Sequence, residues 1–450
     1  MSNKIVIIGL GTGGLYSSRA ASRFDRDAMI TIIEKRDYDM FSPCGLPYAI
    51  EGKVKSFDAL KHSVPTTKKI KKYINHEATS IDTQNKIVDV KNIQTNEMIN
   101  IPYDSLILST GSRPVVLPIP GAYELLGKGV FTCSTPEEAQ KLTEKAKKSN
   151  KAVIVGGGAI GLEIAFALKK LGLTVYITKR SPPPLPRNLD PDMGKILENY
   201  LRDSGIHTLF GKTIERINGV DKVESVVIQG EDIKTDMVVM AVGISPNTKL
   251  AEESGVKTER GYILVNKRME TNIQDIYSLG DCTQSYSAID GKPARIALAT
   301  TAFMQGPIAG INAAGGNREY EGSLGTFVSY IGDLEVSCTG YNSATAENNG
   351  IKVVTGRANM QIKPSWMPDT KDISIKLVAD SETGVMVGGQ AIGEEGAASR
   401  MNIVALAIKQ KMTIQELYNI ELAYCPAVSE LFDPLLVAVE NLLRKYNRKR

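Results

Sequence analysis

The chain has 450 residues, 42% apolar and 23% charged, with a net charge of +4. That is an ordinary globular balance for roughly two to four domains; the small charge argues against a dedicated nucleic-acid binder, and no apolar run reaches the ~20 residues that span a bilayer. Five cysteines, at 44, 133, 282, 338 and 425, are scattered, odd in number and without metal spacing, so no metal site is expected and the pattern suits a reducing, cytoplasmic compartment.

In chain order, Lys4 to Ile8 is an apolar, β-branched strand that runs into Gly9-Leu10-Gly11-Thr12-Gly13-Gly14 and a helix to about Phe24. The next strand, Ile30 to Ile33, ends at Glu34. Phe41-Ser42-Pro43-Cys44-Gly45-Leu46-Pro47-Tyr48 follows, carrying a cysteine with no nearby partner. Leu106 to Pro114 is a strand ending in a turn, with Ser109-Thr110-Gly111 at its end. Ala152 to Val155 then leads into Gly156-Gly157-Gly158-Ala159-Ile160-Gly161, a helix to about Leu171 and the strand Val175 to Ile177. The unit strand, glycine turn, helix, strand thus occurs twice. In each, glycines allow a tight turn and let a pyrophosphate rest on a helix N-terminus. One such motif is weak evidence; two in the right context point to two dinucleotides.

The second strands end differently. Glu34 lies 20 residues after Gly14, where a carboxylate can hold a ribose 2′-hydroxyl. The matching place in the second unit is Lys179-Arg180, cations that can pair with a 2′-phosphate. The first site therefore suits FAD and the second NADPH better than NADH; the alternative for Lys179 and Arg180 is a solvated loop. Ser181 to Arg187, rich in proline, reads as an extended surface loop beside that second site. Val238 to Asn247 repeats the strand-and-turn design, Gly243 included. Ile276 to Leu279 is a strand that delivers Gly280-Asp281. Beyond about Leu324, strands at 328–340, 373–378 and 384–393, a helix over 397–411 and a closing helix from about Pro434 read as an α+β domain.

These pieces resemble the two-dinucleotide flavoprotein disulfide reductases, and within them the single-cysteine branch: coenzyme A disulfide reductase, NADH oxidase, NADH peroxidase and persulfide reductase. The resemblance runs from the first glycine turn through Ser109-Thr110-Gly111 and Gly280-Asp281 to Ala423-Tyr424-Cys425-Pro426 and Phe432-Asp433-Pro434. It implies an α/β fold of two Rossmann-like domains plus an α+β dimerisation domain. The implied FAD-binding region is residues 1–118 and 245–320, the NAD(P)-binding region 119–244, and the C-terminal region 321–450, in a homodimer. It implies Cys44 and Tyr424 as catalytic residues, Tyr424 acting from the partner subunit. It assigns Gly9, Gly11, Gly14, Glu34, Lys35, Pro43, Ala78, Ser109, Thr110, Gly111, Arg113, Asp281 and Ala299 to FAD. Gly156, Gly158, Ile160, Gly161, Glu163, Lys179, Arg180 and Gly243 go to NAD(P)H, and Arg19, Arg23, Ser42 and Lys68 to coenzyme A. Arg19 and Arg23 share a helical face, whose alternative is a solvated surface; the run Lys68 to Lys72 could extend that patch or be solvated.

Absences narrow the chemistry. Five residues after Cys44 stands Ala49, so the Cys-x4-Cys route of the two-cysteine branch is closed. The histidines are at 62, 76 and 207, with none in the C-terminal region or in the first glycine turn. Two departures from the coenzyme A pattern are Pro43, where relatives carry Asn, and Cys425, where they carry Ala. Cys425 is either a small buried residue or a second thiol near the partner's Cys44. A helix beginning near Gly45, together with a flavin, is expected to lower the Cys44 pKa. Three readings stay open: a disulfide, persulfide or polysulfide reductase working through a Cys44 mixed disulfide with coenzyme A; an NADH oxidase cycling through a Cys44 sulfenate; and a flavin-bearing interaction protein with slow turnover.

Overall fold

A computed structural model describes residues 2–448. Five parallel strands form the first sheet, in the order Ile276–Ser278, Ser105–Leu108, Lys4–Ile8, Met29–Glu34, Ile70–Ile74. Strand Lys4–Ile8 is buried at every position after Lys4, as expected for a parallel strand covered on both faces. Helix Thr12–Phe24 covers one face and packs against helix Ala299–Ala313. They meet closely because Gly310 has no side chain: a Cβ there would overlap the Ser17 carbonyl. An antiparallel meander, His76–Asp82, Ile87–Asn92 and Met98–Pro102, lies beside the sheet; the sequence did not reveal it because its polar, one-sided strands lack a long apolar run.

A second five-stranded parallel sheet takes its strands from the middle of the chain, in the order Val130–Phe131, Met237–Met240, Lys151–Val155, Thr174–Lys179, His207–Phe210. The chain leaves the first sheet at Ser112–Pro114 and returns at Ile244–Pro246, and these two segments pair antiparallel. The third sheet is antiparallel, ordered Phe327–Ile331, Leu334–Gly340, Met386–Gly393, Asp372–Asp380, Val353–Gln361. In this sheet the nine-residue edge strand Val353–Gln361 was not expected from the sequence. Helices Ala397–Lys409 and Pro434–Arg448 complete this part, and Arg400 anchors it through a buried two-pronged pair with Asp433 at 2.7 and 3.0 Å.

One hydrophobic core joins the second and third sheets. It combines Ile154, Leu162 and Leu197 with Ile331, Val336 and Ile392, and it includes Leu46 and Ile50 from the segment after Cys44. Among the described residues no helix is long and apolar enough to cross a membrane.

Candidate active site

The two glycine turns are built alike. Gly9 has φ +98°, and a Cβ there would overlap the Ser109 carbonyl; one on Gly14 would overlap the Gly9 carbonyl. A Cβ on Gly11 meets nothing within 4 Å, and Gly11 caps the following helix without a side-chain hydrogen bond. The first N–H groups of that helix are therefore open to an anion in front of a space that no side chain fills. In the second unit Gly156, Gly161 and Gly158 take the same three parts, against the Ala241 carbonyl, the Gly156 carbonyl and open space. Both turns fit a dinucleotide pyrophosphate.

Glu34 stands at the end of its strand, buried, and accepts the Leu10 N–H at 2.7 Å. Arg36 grips the same carboxylate through Nε and Nη2, both at 2.8 Å, and lies beside the rings of Tyr38 and Phe41. Lys35 is exposed; Arg36, just past the end of the strand, is the cation brought to Glu34 by the bend of the chain there. Ala78 sits half-buried on the adjoining meander. Thr110, Gly111 and Arg113 are tied to the returning segment: Thr110 Oγ1 donates to Asn247 O at 2.6 Å, Asn247 N–H to Gly111 O at 2.9 Å, and Arg113 Nη1 to Pro246 O at 3.2 Å. Ser109 N–H donates to Ile8 O at 2.9 Å. Asp281, at the end of the last parallel strand, accepts from Ser112 Oγ at 3.0 Å, and burial raises its carboxyl pKa. Ala299 is exposed at the start of its helix.

Beside the second turn, Ile160 is 47% exposed and Gly243 has φ +117° with open space beside it. Glu163 projects from helix Ala159–Lys170 and accepts from Ser329 Oγ of the third sheet at 2.6 Å. Burial raises its pKa against the pull of that hydrogen bond. Lys179 lies over the turn: a Cβ on Gly157 would meet Lys179 Cδ at 2.8 Å. Burial, then the neighbouring Arg180, pushes the Lys179 ammonium below its ordinary pKa. The Pro-rich segment after Arg180 is a loop beside this site with Ser181, Pro182, Pro186 and Arg187 exposed, but its middle, Pro184 and Leu185, is buried, as are Leu189 and Asp190 just beyond it, and Leu185 N–H returns to Gly157 O at 3.1 Å. The cause is apolar surface on the third sheet, which a sequence does not display.

Cys44 lies in a single 3₁₀ turn, Pro43–Gly45, ahead of helix Leu46–Ile50. The residue is exposed and its thiol is free. Its pKa is raised, by desolvation first and then by the Glu163 carboxylate, with Asp281 adding to the effect. A backbone hydrogen bond to the Cys44 sulfur pulls the other way without reversing the rise. Tyr48 is raised by desolvation and then by the same Glu163. The acids that act on Cys44 come from both dinucleotide units, Asp281 from the first and Glu163 from the second, and helix Leu46–Ile50 after it packs against helix Ala159–Lys170. Ser42 Oγ is paired with His62 Nε2 at 2.8 Å, and Pro43 is exposed.

Arg19 and Arg23 are exposed on helix Thr12–Phe24. In the lysine run Lys69 pairs with Asp27, Lys72 with Asp39, and Lys71 bonds Tyr73, while Lys68 is exposed. Tyr424 is 47% exposed, and Cys425 is also exposed. The buried reading of Cys425 therefore does not hold within one subunit, because the segment between helix Ile414–Tyr418 and helix Pro434–Arg448 lies on the surface.

Two dinucleotide turns on parallel sheets, with a free, exposed thiol in the same chain, define a two-nucleotide redox enzyme. The chain belongs to the pyridine nucleotide-disulphide oxidoreductase family: that family's model matches residues 3–306, and its dimerisation-domain model matches 327–435. It is 37% identical over 451 residues to an NADH oxidase of Methanocaldococcus jannaschii, covering 99% of this chain and 100% of that protein. It is 33% identical to a CoA-dependent NAD(P)H sulfur oxidoreductase of Pyrococcus furiosus, covering 96% and 98%. A NAD-dependent persulfide reductase from A. fulgidus superposes with a TM-score of 0.93 at 32% identity, covering 99% of this chain and 84% of that one. The fold is thus the mixed α/β, double-Rossmann architecture with a dimerisation domain, and the enzyme is an NAD(P)H-dependent flavoprotein oxidoreductase that uses FAD.

Proposed function

We propose that this enzyme reduces a small-molecule disulfide, persulfide or polysulfide through Cys44, with coenzyme A as the thiol it carries. The observation behind this reading is Cys44 itself, exposed and free, under the charge of acids from both dinucleotide units, in a sequence without a Cys-x4-Cys partner. In this reading residues 1–118 and 245–320 hold FAD and 119–244 hold the nicotinamide cofactor. Residues 321–450 form the homodimer, bringing Tyr424 to the partner's Cys44. Lys179 and Arg180 favour NADPH through its 2′-phosphate. Exposed Arg19 and Arg23, with Lys68, receive the phosphates of coenzyme A.

Bound FAD supplies the two-electron link between nicotinamide and sulfur. Gly11 and Gly158 leave room for the two pyrophosphates, and Glu34 holds a ribose. Cys44, as thiolate, attacks one sulfur of a disulfide; a bond forms to Cys44, the old S–S bond breaks, and the second thiolate leaves and takes a proton. Two electrons from NAD(P)H then cleave the mixed disulfide and return Cys44 to a thiolate. The net balance is one NAD(P)H and one proton per disulfide, giving two thiols. Tyr424 donates a hydrogen bond to the sulfur.

The native intact mass, taken before and after a reductant, tests the reading: loss of the mass of coenzyme A is expected. Cys44→Ser keeps bound FAD and loses disulfide turnover; unchanged turnover overturns the assignment. A second reading, an NADH oxidase cycling through a Cys44 sulfenate, is favoured by the name of the M. jannaschii relative. Oxygen consumption without disulfide, at the rate of disulfide-dependent turnover, would establish it instead.

A further inference from the structure

The segment that follows Lys179 and Arg180 is fastened from outside its own domain. Asp190, 1% exposed, accepts the Ser343 N–H at 2.9 Å and the Ser343 hydroxyl at 2.7 Å, and pairs with Lys376 at 2.9 Å. Its own N–H donates to Gln390 Oε1 at 2.7 Å. Asn342 Nδ2 reaches the carbonyls of Pro186 at 3.2 Å and Leu189 at 3.5 Å, and Asn188 Nδ2 reaches Cys338 Sγ at 3.4 Å. Lys376 also pairs with Asp192 at 2.7 Å. Asn342, Ser343, Lys376, Gln390 and Cys338 all belong to the C-terminal region, which makes no nucleotide turn of its own.

The other end of the segment is fixed at the nucleotide turn, by the return of Leu185 to Gly157 and by Lys179 lying over that glycine. Positions 180 to 190 form no helix or strand of their own; their first half is tied to the nucleotide turn through Leu185 and their second half, from Pro186 to Asp190, to the C-terminal region. A long loop held at one end samples many shapes, and fixing its second end removes that freedom before a ligand arrives. Arg180 and Arg187 are exposed on this loop.

We propose that Asn342 and Ser343 of the C-terminal region are specificity-positioning residues for the nicotinamide cofactor, holding the 180–190 loop so that its cations meet the 2′-phosphate of NADPH. This rests on the reading of Lys179 and Arg180 given above. The adenosine half of the cofactor is then discriminated by a contact between domains, and the two residues act on the phosphate without touching it.

Calorimetric titration of the FAD-loaded protein with adenosine 2′,5′-bisphosphate and with 5′-AMP tests this apart from turnover. The wild type is expected to bind the bisphosphate about tenfold more tightly or better, and Asn342→Ala and Ser343→Ala, made separately, to cut that preference to about threefold or less while 5′-AMP affinity stays within about twofold, as loss of one or two hydrogen bonds implies. Ser343→Thr, which keeps the hydroxyl, retains the preference. A wild type without preference overturns the reading of Lys179 and Arg180, and this inference with it. A wild type with the preference, in variants that keep it or lose both ligands equally, overturns this inference alone.

Discussion

Gly156 and Gly158 are two residues apart in one turn, and the same substitution should act on them in opposite ways. At Gly156, φ is +122° and an added Cβ overlaps the Ala241 carbonyl, which is backbone of the neighbouring strand and cannot turn aside. Gly156→Ala carries the strain of that dihedral, about 1–3 kcal/mol, plus a similar cost of overpacking, about 1–3 kcal/mol. A loss of roughly 3 kcal/mol in unfolding free energy follows. At Gly158, φ is −85° and a Cβ meets nothing within 4 Å. Ala gains about 0.4–1 kcal/mol through the unfolded chain and loses a comparable amount as a poor N-cap, so stability changes by less than about 0.5 kcal/mol. Its methyl instead occupies the space in front of the open helix N–H groups, and NADP⁺ affinity falls by about tenfold or more. Urea unfolding followed by circular dichroism, with NADP⁺ titration by fluorescence, reads both effects. A Gly158→Ala protein that binds NADP⁺ like wild type, or unfolds as early as Gly156→Ala, refutes the account of the turn.

Glu163→Gln removes the carboxylate that, after desolvation, raises the Cys44 thiol, so its pKa falls part of the way, more thiolate is present at a given pH, and the pH midpoint of Cys44 alkylation by iodoacetamide moves down; an unmoved midpoint counts against this influence of Glu163. Arg19→Ala with Arg23→Ala is expected to raise the KM for coenzyme A disulfide by about tenfold, from two lost charge-assisted contacts, and to leave that for inorganic polysulfide unchanged; equal effects on both substrates argue against a nucleotide grip. Asp433→Ala strands Arg400 in a buried site, where its carboxylate also accepts the Leu435 N–H at 2.8 Å. A loss of about 3–5 kcal/mol in urea unfolding is expected, along with faster proteolysis between residues 419 and 433; wild-type stability would show that this pair does not anchor the segment.

Much of this molecule was legible in the order of its residues. Each glycine turn announces itself because a strand, a tight turn and a helix N-terminus must be contiguous to receive a pyrophosphate, so the motif is local and survives in one dimension. Glu34 and Lys179 follow from the same spacing. The lone Cys44 and the absence of a partner five residues on are also facts of sequence, and they already narrowed the sulfur chemistry. What the sequence could not carry was environment. The raised Cys44 thiol depends on desolvation by the fold and on Glu163, over a hundred residues away. The Pro-rich loop reads as surface until Asn342 and Ser343 are brought against it, and Arg36 rather than Lys35 reaches Glu34 because of the way the chain turns after that strand. Sequence alone determined that the chain carries two glycine turns between strand and helix and a lone thiol without a partner five residues on, because those depend on neighbours along the chain. Tertiary structure decided how each group is charged, buried and held, because dielectric, Coulomb fields and packing depend on distance in space.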